Sequence, residues 1–474
     1  MAEKTPNQQL AEKLLFKPAY VGDKSAAVKQ EAHAFAEGYK KFLDAGKTER
    51  EVAAESEQML KDAGYQQFDP KKTYAPGDKV YFSQLGKAIV ASTIGTRSFE
   101  DGFHLVIAHT DSPRLDLRPT PLYESDHFSY FKTHYYGGIR KYQWGTMPLA
   151  IHGVFTRADG SSVSFSVGED ENDPVFCITD LLPHLGAEQN DRKLSDGIKA
   201  EELNVLIGSD AVEEEDVKEA VKLNTLILLH EKYGITERDF TRAEIEVVPA
   251  HKARDVGFDR SMVMAYGQDD RVCAYTSLVA MLEVDNVKRT TCCLLVDKEE
   301  IGSVGATGMQ SRFFENAVAE ILTLMGKPNS VSVRRTLEKS RMLSSDVSAG
   351  YDPLYASAYE KKNASYLGMG VVFNKFTGSR GKAGSNDANA EYMGFIRRVM
   401  ESNNVTYQTA ELGKVDLGGG GTIAYIMALY GMNVIDCGVA VLSMHAPWEV
   451  TSKADIYEAK QCYVAFLNAA DESI

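Results

Sequence analysis

The chain has 474 residues, more than one compact core usually holds, so two domains are expected. Its composition, 44% hydrophobic and 25% charged, is that of a soluble globular protein, and a net charge of −15 argues against a nucleic-acid backbone or an anionic membrane as the main partner. The six cysteines, Cys177, Cys273, Cys292, Cys293, Cys437 and Cys462, include no C-x-x-C pair and sit mostly in apolar runs. They read as reduced core residues rather than disulfides or zinc thiolates. The first residues, MAEKTPNQQLAEKLLF, lack a signal-peptide core, and no apolar run reaches the roughly 20 residues of a membrane span. A cytoplasmic location is expected.

In chain order, residues 1 to about 65 read as helical: Val28, Ala32, Phe35, Tyr39 and Phe42 recur at three- and four-residue spacing. Short strands follow at Lys79–Phe82 and Ala88–Ala91, with Gly86 at the turn, and an apolar run from Phe103 to Ala108 ends in His109-Thr110-Asp111. From 121 to 248 the texture changes to aromatic, alternating segments. Asp159-Gly160 marks a hairpin there, and the acidic stretch EEEDVKEAVKLNTLILLHEKYG reads as a helix. This part reads as an inserted domain between a first catalytic segment, 1–120, and a second, 249–474. In the second segment a helix over DDRVCAYTSLVAMLEV has Asp269 or Asp270 as its N-cap and an apolar face of Val272, Tyr275, Leu278 and Leu282. TTCCLLVD, SRMLSSD and MNVIDCGVAVLSMH read as buried strands. Strand–helix alternation predicts an α/β fold with a mostly parallel sheet flanked by helices.

The strand ends carry the chemistry. Phe103–Ala108 runs into His109, Thr291–Val296 into Asp297, Glu299 and Glu300, Met342–Ser345 into Asp346, and Val439–Met444 into His445; Asp269 opens the next helix. Open α/β sheets bind ligands outside the carboxyl ends of their strands, so these side chains are expected at one rim. Singly, a histidine there is an ordinary hydrogen-bonded residue and an aspartate before a helix is a cap. Together, two imidazoles and several carboxylates make a site for zinc, manganese or cobalt rather than calcium. Asp111, two residues after His109, is placed to hold the imidazole N–H. Adjacent Glu299 and Glu300 repel each other unless a cation supports them. One glutamate then serves as ligand and its neighbour as base toward a water whose pKa falls from about 15.7 towards 7. The competing account makes DKEE a solvated loop paired through Lys298.

The segments AHTDSP, GQDDR, DKEEIGS, SSD and SMHAPWE, in this order, resemble the aspartyl aminopeptidase and vacuolar aminopeptidase I family of dinuclear zinc exopeptidases, over essentially the whole chain. That resemblance implies two divalent metal ions per subunit. Asp269 would bridge them, with Asp270 the alternative because the family's usual Asp-Asn is Asp-Asp here. His109 and Asp346 would complete one ion's ligands, and Glu300 and His445 the other's. Glu299 would be the general base, and Asp111 would orient His109. It further implies that the insert serves dimer formation and that dimers build a tetrahedral dodecamer. His184, in ITDLLPHLGAEQ, would reach a neighbouring subunit's site. DLGGGG reads as a side-chain-free turn beside the pocket rather than a phosphate loop. Arg380 and Lys382 are equally a substrate-facing pair or a solvated loop.

The expected activity is removal of N-terminal residues from peptides with a free amine. The alternatives are a related dimetal carboxypeptidase or N-deacylase, and a non-catalytic assembly protein of the same fold.

Overall fold

A computed structural model describes residues 4–469 apart from 158, 215 and 327–328. Residues 1–3 and 470–474 of the expected outer segments, and Glu215 of the acidic stretch, lie outside the described residues. A nine-stranded mixed sheet forms the centre. Its inner strands, Thr291–Val296, His104–His109, Arg341–Ser345 and Asn433–Gly438, run parallel and lie side by side. The register pairs Val296 with His109 and Ser345 with Cys437, so the carboxyl ends of all four stop at one rim. Antiparallel neighbours extend the sheet on both sides, through Ala88–Thr93 and Val371–Asn374.

The inner strands are buried on both faces, mostly through apolar side chains, because both faces are covered. One face packs on helices Ala26–Ala45, Glu49–Asp62, Gln268–Glu283, Ala390–Ser402 and Lys453–Leu467. The other packs on Phe313–Leu322, Ser330–Glu338 and Ala424–Ala428. Helix Gln268–Glu283 departs from the expected single apolar face: it is buried almost all round, its polar Gln268, Thr276 and Ser277 included.

A second sheet of six antiparallel strands lies between residues 114 and 249, with its own core around Trp144, Phe155, Phe240 and Val247. The hairpin at Asp159-Gly160 is present, pairing Thr156 with Ser162. The acidic stretch turns helical only from Ala220 to Tyr233. Glu219 takes a left-handed conformation, and the Glu124 carboxylate accepts the Val221 and Lys222 N–H groups at 2.9 and 3.0 Å. The preceding like charges repel one another and stay outside the helix.

One expected strand divides. MNVIDCGVAVLSMH forms Asn433–Gly438 in the central sheet and Ala440–Leu442 in a separate five-stranded sheet with Glu449–Ser452, Met262–Ala265, Arg254–Val256 and Ser348–Ala349. The reason lies in its neighbour. The N–H groups of Asp346, Ser348 and Gly350 donate to the carbonyls of Cys437, Val439 and Val441 at 3.0, 2.9 and 2.8 Å, so both chains leave the sheet together. They pass so closely that a Cβ on Gly438 would stand 2.0 Å from the Asp346 carbonyl oxygen. His445 is therefore carried by the smaller sheet, which brings it back to the rim from the side.

Candidate metal centre

The strand ends meet. His109 Nε2 stands 3.2 Å from Asp269 Oδ1 and 3.8 Å from Asp346 Oδ1. His445 Nε2 stands 3.1 Å from Asp269 Oδ2 and 3.6 Å from Glu300 Oε1. Two ligands of a tetrahedral ion with bonds of about 2.0–2.1 Å lie about 3.3 Å apart, so each set fits one ion. The sets His109–Asp269–Asp346 and Asp269–Glu300–His445 share one aspartate, which turns one oxygen to each. Asp270, joined to it by a cis peptide bond, enters neither set; both its carboxylate oxygens are buried and unpartnered.

Both imidazoles are aimed by their far nitrogens. His109 Nδ1–H donates to the Asp111 carbonyl oxygen at 3.0 Å, and His445 Nδ1–H to the Gly138 carbonyl oxygen at 2.9 Å, which leaves each Nε2 free as an acceptor. The Asp111 carboxylate is 3.4 Å from His109 Nδ1 and has other work. It accepts the backbone N–H groups of Glu299 and Glu300 at 3.1 and 3.2 Å and the Tyr136 hydroxyl at 2.8 Å. Glu299–Ile301 is a single 3₁₀ turn entered through Lys298 at φ 70°. The carboxylate thus caps the turn's N-terminus and holds both glutamates toward the histidines. Lys298 pairs with Asp297 at 3.3 Å. Glu449 accepts the N–H groups of Asp269 and His445 at 3.1 and 2.8 Å, tying the shared aspartate to the second histidine.

Electrostatics favour added positive charge. Burial, reinforced by Asp346 and Asp269 against the opposing pull of His109, pushes the Glu299 carboxyl up to about 8. Burial, then Asp269, drives Glu300 well above the usual carboxylate range. Burial would lower the His445 imidazole, but the Asp269 carboxylate overrides it and holds it at about 10. Asp269 Oδ1 and Glu300 Oε1 are buried without a hydrogen-bond partner. Nitrogen and carboxylate donors in this arrangement fit two divalent ions of the zinc, manganese or cobalt type.

Above the group opens a cavity of about 470 Å³. Glu299 lines it with Asp346, Asn374, Tyr425, Met444 and the Gly419–Gly421 turn. Arg380 and Lys382 line a neighbouring cavity of about 310 Å³ that shares Thr377, Leu412 and Gly419 with the first; Lys382 pairs with Asp387 at 2.8 Å. His184 is not brought to the group: it stands in an exposed segment with Leu181, Leu182 and Leu185 around it. Tyr136 and Gly138 gave no signal in the sequence, whereas Glu449, in SMHAPWE, sits four residues after His445.

Residues 42–467 match the family described as aminopeptidase I zinc metalloprotease (M18). The chain belongs to the M18 family of zinc aminopeptidases. A probable M18 family aminopeptidase 1 of Clostridium acetobutylicum is 56% identical over 443 residues, 93% of this chain and 95% of the relative. The crystal structure of the M18 aminopeptidase from Thermotoga maritima superposes with a TM-score of 0.91 at 43% identity, covering 96% of this chain and 100% of that one. The S. cerevisiae mApe1 dodecamer, 18% identical over 91% of this chain and 96% of its own, shares the fold at a TM-score of 0.72. The M18 chain is thus a metallo-aminopeptidase of the zinc exopeptidase fold.

The two adjacent aspartates are separable. Asp269→Asn removes a charge that both histidines face and is expected to abolish binding of two ions per subunit, read by metal analysis after dialysis. Asp270→Asn, a buried carboxyl that burial drives well above its usual range, is expected to keep both ions and kcat within about threefold. Equal losses in both variants would contradict the assignment.

Proposed function

We propose that this M18 enzyme is a dinuclear aminopeptidase in which His109, Asp269 and Asp346 hold one divalent ion, Asp269, Glu300 and His445 hold the other, and Glu299 is the general base. The observation that carries the reading is Asp269, each of whose oxygens faces a different histidine, with Glu299 Oε2 4.0 Å from His109 Nε2 at the cavity side. When bound, two such ions lower the pKa of water and polarise a carbonyl. Glu299 then takes a proton from the attacking water and returns it to the leaving amide nitrogen. Asp111 keeps the Glu299–Glu300 turn and His109 in place throughout. Substrates carry a free N-terminal amine, for which the open cavity beside the carboxylates has room.

The charged side chains lining that cavity are carboxylates and His445; among the described residues lining it there is no lysine or arginine. With His445 and the carboxylates committed to the ions in this reading, an acidic N-terminal side chain meets no free lysine or arginine partner among the described lining residues and stands beside carboxylates. Neutral and donor-bearing residues fit better.

We further infer that residues 121–248 serve dimer formation, that dimers build a tetrahedral dodecamer, the number of subunits in the yeast mApe1 structure, and that His184 reaches a neighbouring subunit's cavity. Leu181, Leu182 and Leu185 beside it are 54%, 50% and 67% exposed in the single chain, apolar surface suited to burial between subunits. Among the described residues no helix is long and apolar enough to cross a membrane, and all six cysteines are unpaired, as in the reducing cytoplasm where we place the enzyme.

Glu299→Gln should keep two ions per subunit while kcat falls about 10²–10⁴-fold; a rate near that of the parent enzyme rules out the base assignment. On a panel of aminoacyl p-nitroanilides, leucyl and lysyl substrates should exceed aspartyl and glutamyl ones by at least about tenfold in kcat/KM, since a buried unpaired charge costs more than the 1.4 kcal/mol of a tenfold change. N-acetylated substrates should be inert. Chelation should abolish activity and zinc, manganese or cobalt restore it. Light scattering should give a dodecameric mass, and an active monomer would contradict a role for His184 across subunits.

A further inference from the structure

Strand Phe128–Tyr136 of the six-stranded sheet ends beside the candidate metal centre, and Tyr136, Gly137 and Gly138 meet Asp111, Glu300 and His445 there. The buried Tyr136 hydroxyl donates to Asp111 Oδ2 at 2.8 Å. Asp111 in turn accepts the Glu299 and Glu300 N–H groups at 3.1 and 3.2 Å. Two residues on, the Gly138 carbonyl oxygen accepts from His445 Nδ1 at 2.9 Å. Between them Gly137, at φ 70°, lies so flat on Glu300 that an added Cβ would stand 3.3 Å from both its Cβ and its Oε2. Behind the tyrosine, the Arg114 guanidinium stacks on the ring at 4.0 Å. Arg114 is itself held by Asp116 at 2.8 Å and by Glu49 and Glu246 at 3.2 Å each.

We propose that this strand end is a clamp on the metal pair, with Tyr136 a positioning residue that acts through Asp111 and Gly138 the support that sets His445; the proposal rests on the ligand assignment above. The physical case is one of competing partners. Without the hydroxyl, the Asp111 carboxylate loses its nearer side-chain donor, at 2.8 Å, and is free to swing toward His109 Nδ1, 3.4 Å away. The turn it caps then loosens, and Glu299 and Glu300 move with it. Gly138 secures the opposite side through the ring nitrogen that does not face the metal. Arg114, stacked on the tyrosine ring, joins Glu49 of helix Glu49–Asp62 to Glu246 of the second sheet, so the pose of that sheet is felt at the site. The segment that reads from sequence as an oligomerisation module is on this account also part of the metal-binding apparatus.

The test uses the full-length enzyme loaded with zinc. Tyr136→Phe keeps the ring on Arg114 and deletes one oxygen. Tyr266→Phe, which deletes a buried hydroxyl bonded to the Pro113 carbonyl oxygen at 3.1 Å in the same wall, is the control. Gly138→Ala, whose Cβ would stand 3.3 Å from His445 Nδ1, tests the other arm and remains informative if Tyr136→Phe does not fold. Zinc content after dialysis, the rate of zinc loss to a chelator, kcat and KM separately, and melting of the metal-free protein are read for each. Tyr136→Phe and Gly138→Ala should weaken zinc retention about 10- to 100-fold and lower kcat with KM within about twofold, while melting of the metal-free protein changes no more than in Tyr266→Phe. Parental zinc retention and kcat in both variants would overturn the clamp, as would an equal loss of zinc in Tyr266→Phe. A parent enzyme that holds no zinc would instead overturn the ligand assignment.

Discussion

Crowded negative charge is the constraint on which the site depends. The carboxylates of Asp111, Asp269, Asp270, Asp346, Glu299, Glu300 and Glu449 surround two imidazoles at the end of a sheet whose faces are sealed by helices. Unpaired ionised groups there cost several kcal/mol each, so they either take up protons or collect cations. Two arrangements of carboxylate are visible. Glu449 is pushed up by burial and holds two backbone N–H groups. Asp269 and Glu300 instead point oxygens without hydrogen-bond partners at the space between the histidines. What separates the two groups is geometry. Glu449 spends its oxygens on the N–H groups of Asp269 and His445, whereas the candidate ligands are held by their backbones and leave their oxygens free.

That division of labour follows from the sheet. Parallel strands paired in step deliver their last residues to one edge, where the ladder of N–H and C=O groups runs out. The turns that follow must find other partners for their N–H groups. Asp111 supplies them to the Glu299–Glu300 turn, and Glu449 to the approach of Asp269 and His445. The same carboxylates that finish the backbone's hydrogen bonding therefore fix the direction of the candidate ligands.

How far this was legible in sequence depends on range. Apolar runs ending in His109, Asp346 and the Glu299–Glu300 pair announce themselves locally, because the run fixes a strand and the acid or histidine marks its mouth. The division of Asn433–Leu442 between two sheets leaves no such trace. It arises where a second chain passes within 2.0 Å of the position a Cβ on Gly438 would take, a contact between residues 92 positions apart that looks in sequence like one continuous strand. The choice between Asp269 and Asp270 is likewise tertiary: it turns on which carboxylate faces both histidines, and adjacent identical residues at a helix start carry no local signal of that. Tyr136 and Gly138 reach the centre from another sheet altogether and read in sequence as the tail of an aromatic strand.

The path of the chain adds a mechanical consequence. The loop carrying His109 and Asp111 continues without a break into strand Arg114–Ser125 of the six-stranded sheet, and the last strand of that sheet, Ala243–Pro249, precedes Asp269 by only 20 residues. Two candidate ligands, His109 and the shared Asp269, thus stand close to the entrance and exit of the insert, and the hairpin partner of its first strand returns to the site through Tyr136. A tilt of that sheet against the central one would move the Tyr136 hydroxyl that holds Asp111 and the Gly138 carbonyl that supports His445 together, because buried Arg114 couples Glu49 on one side to Glu246 and the Tyr136 ring on the other. Close-packed interiors transmit such displacements instead of absorbing them. Whatever fixes the insert in place, its own core or a second subunit packed against it, fixes the spacing of the candidate ligands as well. With the assembly role proposed for the insert, assembly and metal binding would draw on one structural element.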